Sequence, residues 1–201
     1  MHLLLILLLL FIRVNWLRKS GLLFDLCLLL YYWPLVEHAI GLLTQHTYYL
    51  PSYFGSALLI FVLSAVITCG PIFGAYLRQF FKIRQLSKVT LSTIVVRHTA
   101  VAIYEEIIWR VVVLQVIANY TNSVFAVISA SGLFFLLHLG RFFNTNQAVE
   151  FFMFSLLLSI LYLISGSLLH VIVIHFVRNV LISINSLGKD YDEENTRTLN
   201  H

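Results

Sequence analysis

Charge is what this sequence has least of. Charged residues fill 11% of its 201 positions and hydrophobic ones 60%, whereas a soluble domain carries roughly 25% charged residues. So few charges cannot cover a globule of this size, and the mean hydropathy of +0.89 points the same way: most of the surface is expected to face lipid. Cysteine is nearly as scarce. Cys27 and Cys69 are the only two, and both lie inside apolar runs. A disulfide framework or a thiolate metal site needs more of them in a polar setting, so both read as small buried hydrophobes. The opening stretch, residues 1–10, has no positive region before it and no small-residue cleavage site after it, so no removable signal peptide is expected. The net charge of +4 is not a nucleic-acid signal, because the basic residues sit at the ends of apolar runs.

What is present is a series of such runs. A helical span needs about 20 mostly apolar residues, and on that ruler spans are expected at 3–17, 21–43, 54–77, 98–118, 122–139, 148–165 and 167–184. The first is flawed by Arg13 and Asn15. Polar breaks separate the later ones: Asn119-Tyr120-Thr121-Asn122, Gly140-Arg141 through Gln147, and Ser165-Gly166-Ser167. The fold class is therefore all-α, a polytopic transmembrane helical bundle of about seven spans in one compact unit. It divides into accessory N-terminal helices (1–77), a basic segment (78–97), a core (98–187) and a polar tail (188–201) expected to fray. The basic segment reads either as an amphipathic helix on the anionic inner leaflet or as a solvated loop.

Orientation follows from Lys and Arg in the short loops. Arg18 and Lys19 mark the first loop, Arg78, Lys82, Arg84, Lys88 and Arg97 the third, Arg141 the fifth, and Lys189 the tail. The second, fourth and sixth loops carry none. The odd loops and the C-terminus are thus expected in the cytoplasm, in a multi-pass protein of a plasma membrane.

Ionisable groups inside the later spans are the unusual feature, since a charge at the centre of a membrane helix costs roughly 2.5–3.5 kcal/mol on insertion scales. Span four holds Glu105, Glu106 and Arg110; span five ends in Phe134 and His138; span seven holds His175 and Asn179. Glu106 and Arg110, four apart, share a face and can pair. Glu105 is rotated by about 100° from Glu106 and is expected to project into a cavity between helices. Counted from the cytoplasmic ends of their helices, Glu105 lies about 12 Å deep and His175 about 13 Å. His138 lies close to the inner end of its span, so all three groups fall in one half of the bilayer.

Glu-Glu-x-x-x-Arg, then Phe-x-x-x-His, then His-x-x-x-Asn, each on its own apolar helix, resembles the CPBP family, the CAAX proteases and bacteriocin-processing enzymes also called the Abi family. The similarity covers roughly residues 95–185. It implies an intramembrane endopeptidase, a hydrolase of peptide bonds, in which Glu105 assisted by His138 activates water. His175 and Asn179 would stabilise the oxyanion, with Glu106 and Arg110 holding the geometry. The residues could do this unaided, since a desolvated carboxylate is a better base than one in water. No cofactor is favoured. The alternative is a zinc or other divalent metal on Glu105, His138 and His175, a donor set with one open position.

The expected substrate is a membrane-associated or bacteriocin-type peptide reached from the inner leaflet of a bacterial membrane, in peptide maturation or in bacteriocin self-immunity. The rival reading is a non-catalytic immunity or interaction protein that keeps the motifs as packing. A transporter would use the charges as an ion path, but only Gly70-Pro71 breaks a span in the manner transporters require. His38, His98 and His170 read as helix-packing hydrogen bonders. Glu150 reads as interfacial, and Asp25 and Glu37 as span-end residues whose charges snorkel cheaply.

Overall fold

The computed structural model of the chain describes residues 21–45, 51–56, 59, 87–138 and 145–199. The first expected span, most of the third, the basic stretch 78–86 and residues 139–144 of the fifth loop lie outside these residues. Every described element is helical. We label them α1 (Gly21–Tyr31), α2 (Trp33–Gln45), α3 (Lys88–Glu106), a π-helical segment (Ile107–Leu114), α4 (Gln115–Tyr120), α5 (Ser123–His138), α6 (Thr145–Ser165) and α7 (Leu168–Leu199).

Local chemistry explains the boundaries. The second expected span is two helices, because Pro34 has no N–H to continue the ladder and sits instead in the first turn of α2. Ser87 caps α3 by accepting the Thr90 N–H at 3.0 Å. The helix therefore starts at Lys88, and the boundary expected between 97 and 98 is no break: Arg97 lies within a helix that continues to Glu105. Asn122 accepts the Phe125 N–H at 2.9 Å and opens α5. Gly166 turns α6 into α7 at a φ of 62°, a left-handed conformation that glycine adopts without a Cβ penalty. The backbone helix of α7 runs on past the start of the polar tail at 188, to Leu199.

Pairwise contacts fix how the helices run. His98 meets Ser183 and Glu106 meets His175, so α3 and α7 are antiparallel. Ser131 meets Ser159 and Phe134 meets Phe151, so α5 and α6 are antiparallel too. Arg110 contacts the Ser155 carbonyl and Gln115 donates to the Tyr162 hydroxyl at 2.7 Å, so the α3–α4 helix and α6 run the same way. The four helical runs thus alternate up and down, with the π-helical segment in their midst. Seven of that segment's eight residues, Ile108 through Leu114, are buried. Small side chains let α5 and α6 approach: Ser131 meets Ser159 at 2.9 Å, and Ala126, Ala130 and Ser155 are buried as well.

The outside of the bundle is apolar, with Val124, Phe125, Ile128, Leu136, Ile160 and Ile164 all exposed. In water this would be an aggregation surface; against lipid it is neutral. Among the described residues one helix, Thr145–Ser165, is long and apolar enough to cross a membrane. Ser123–His138 and Leu168–Ile184 are apolar but shorter, and the helix from Lys88 is interrupted by Arg97, Glu105, Glu106 and Arg110. Span-length helices are thus fewer here than the seven expected.

Candidate active site

Three helices carry the charged residues to one place. The Glu105 carboxylate lies between two imidazoles, its Oε1 at 3.6 Å from His138 Nε2 and its Oε2 at 3.5 Å from His175 Nε2. It is the accessible member of the cluster, at 17% side-chain exposure against 0% for Glu106. Glu106 points the other way, into protein. Its Oε2 is 3.1 Å from Arg110 Nε and its Oε1 is 2.6 Å from His175 Nδ1. His175 therefore bridges two carboxylates that are neighbours in the chain.

These contacts fix where the imidazoles hold their hydrogens. His138 Nδ1 is 2.8 Å from the Phe134 carbonyl. A carbonyl only accepts, so Nδ1 donates and Nε2 is the atom presented to Glu105. An ionised Glu106 likewise accepts from His175 Nδ1, leaving Nε2 of that ring toward Glu105. Both rings are held by their far nitrogen, the arrangement that orients functional histidines.

The Arg110–Glu106 pair acts through charge rather than an aligned hydrogen bond. Arg110 Nε and Nη1, Glu106 Oε2 and Ser155 Oγ are buried without a hydrogen-bond partner among the described residues. The guanidinium also lies 5.5 Å from the Phe134 ring centroid, a favourable cation–π placement. Phe134 packs on His138 at 4.5 Å and on Trp109 at 5.3 Å. The π-helical segment, with its i→i−5 pattern, begins directly after Glu106. Such wide turns concentrate at functional sites.

Of the residues singled out by sequence, Glu105, Glu106, Arg110, His138 and His175 come together. Asn179 stands one turn past His175, half-buried, and no hydrogen bond joins it to the cluster among the described residues. His98 and His170 do pack by hydrogen bonds, to Ser183 and Ser56, and His38 is exposed. Glu150 is not merely interfacial. It grips Arg178 with both oxygens, at 3.0 Å and 2.5 Å. Arg178 is the residue that motif reading passes over, although a cation inside the apolar run 167–184 was the available signal.

A metal would take Glu105, His138 and His175. Their carboxylate and Nε2 atoms face one another at 3.5–3.6 Å, while among the described residues no group of three His, Cys, Asp or Glu side chains closes on a single point for an ion.

The described residues thus form an all-helical bundle with an apolar exterior and a carboxylate–diimidazole cluster inside it. Residues 87–181 match the family model described as type II CAAX prenyl endopeptidase Rce1-like, so this segment is similar to the CAAX-type endopeptidases and agrees with the CPBP resemblance of its motifs. No curated protein and no solved structure matches the chain.

Proposed function

We propose that the protein is a metal-free intramembrane endopeptidase that cleaves a membrane-associated peptide. The observation that carries this reading is the Glu105 carboxylate held between His138 Nε2 and His175 Nε2 on its accessible side. A water there is within reach of a carboxylate base, and peptide hydrolysis needs such a base, a proton donor for the leaving amine and stabilisation of the oxyanion.

Glu105 removes a proton from water, helped by His138 Nε2, as the water oxygen bonds to the scissile carbonyl carbon. The carbonyl oxygen becomes an oxyanion beside the His175 ring and the Asn179 amide, the residues whose side chains stabilise it. The C–N bond then breaks, and the proton held at Glu105 passes to the leaving amine nitrogen.

The site lies in the cytoplasmic half of a bacterial plasma membrane, in a seven-span bundle with a cytoplasmic C-terminus, and its peptide serves maturation or bacteriocin self-immunity. The test is cleavage of a farnesylated peptide ending in a CaaX sequence, and of a bacteriocin-type precursor peptide, by the full chain in detergent micelles. Wild type should cut at least one of them after dialysis against a chelator, and Glu105→Gln should not. Equal cleavage by Glu105→Gln at equal protein level would sink the proposal.

A further inference from the structure

The Glu150–Arg178 pair is unassigned by any motif, yet it adjoins both histidines through two rings. The Arg178 guanidinium lies over Phe154 at 4.6 Å and over Phe151 at 5.1 Å. Phe151 packs against His138 at 5.0 Å and stacks on Phe134 at 5.2 Å. Phe154 meets His175 edge-on at 6.0 Å. Each ring is therefore held by a cation on one side and touches a histidine of the site on another.

We propose that Arg178 and Glu150 are positioning residues for the hydrolytic site: the guanidinium, oriented by Glu150 from α6, fixes the rings that set the planes of His138 and His175. This role presupposes the peptidase reading of the site. Three physical points support it. A bidentate carboxylate locks the guanidinium plane, which a lysine ammonium cannot reproduce. A cation over a ring is strongest where water is excluded, and Arg178 is buried at 5% exposure. Helix packing alone would not need the charge, since a buried ion pair is often no more stabilising than apolar residues of similar volume. The pair also joins α6 to α7 one turn from His175, so it acts on the helix that carries an imidazole as well as on the rings.

The test uses the full chain in micelles with 15N-labelled histidine, and reads the imidazole resonances together with peptide cleavage. Arg178→Met should displace the His138 and His175 resonances while leaving those of His98 and His170 in place, and should lower kcat roughly ten- to a hundred-fold with KM within about two-fold, as for other misplaced catalytic groups. Because a lone Glu150 could prevent folding, the neutral double variant Glu150→Gln/Arg178→Met is the second arm. It should melt close to wild type and still show the displaced resonances. Arg178→Lys, which keeps the charge but not the plane, should restore neither the resonances nor kcat fully. Wild-type resonances in the double variant would overturn the proposal and leave a plain helix latch. Failure of the peptidase reading would look different: Glu105→Gln would cleave normally, whatever Arg178 does to the imidazoles.

Discussion

Glu105 and Glu106 are adjacent and chemically identical, yet the helix gives them opposite surroundings. One carboxylate is on the accessible side between imidazole nitrogens, and the other is sealed between a guanidinium and an imidazole N–H. Their substitutions should separate accordingly. Glu105→Gln should lower the cleavage rate about a hundred- to ten-thousand-fold, the range for loss of a general base, with little change in melting temperature. Glu106→Gln should lose activity and also destabilise by about 3–5 kcal/mol, because it strands a buried guanidinium without its anion. Thermal unfolding in micelles beside a cleavage assay distinguishes the two. Equal melting of both variants would contradict the burial argument. The spacing rules foretold that Glu106 pairs with Arg110 and that Glu105 turns away. They could not foretell that His175 spans both, because that contact depends on the register of α7 against α3, which no local pattern encodes.

At the scale of the helix, breaks marked by polar residues or glycine were readable and breaks made by hydrogen-bond geometry were not. Asn119–Asn122 and Ser165–Ser167 end helices where the sequence indicates. Ile107–Leu114 is apolar throughout apart from Arg110, so nothing in its composition separates a wide π turn from an ordinary α-helix. Arg178 escaped for a related reason: it lies on a helix already accounted for by His175 and Asn179, and its partner Glu150 is on another. The α6–α7 turn gives a direct test of backbone chemistry. Gly166 has open space where a Cβ would be built, so Gly166→Ala clashes with nothing and its cost is purely conformational. Destabilisation of about 1–2 kcal/mol is expected from the left-handed backbone. An unchanged melting temperature would show that the turn relaxes to another conformation.

For the molecule as a whole, the alternation of helices is linked to the placement of the site. Antiparallel contacts between α3 and α7, and between α5 and α6, bring the start of one helix level with the end of the next. This is why residues separated as widely as Glu105 and His175 reach the same depth. Loop charges lead to the expectation of a common depth, but a charge count orients a bundle only relative to the membrane. The orientation is testable in a Cys27→Ser/Cys69→Ser background, which removes the native thiols. Asn122 and Asn146 are both exposed and stand at opposite ends of the pair α5 and α6. With the basic loops inside, Asn122→Cys should react with a membrane-impermeant maleimide in intact cells. Asn146→Cys should react only after the membrane is permeabilised. The reverse pattern would turn the bundle over and put the wet face of Glu105 on the outer side, where a peptide would have to arrive from outside the cell. Labelling of both in intact cells would mean that α5 and the loop after it do not cross the bilayer. The shortness of α5, sixteen residues or about 24 Å at 1.5 Å per residue, makes that outcome the sharper challenge. A helix of that length spans a hydrocarbon core of about 30 Å only where the bilayer thins or its ends draw polar groups inward. His138 at the C-terminal end of α5 is such a group, which is the physical reason to expect the crossing.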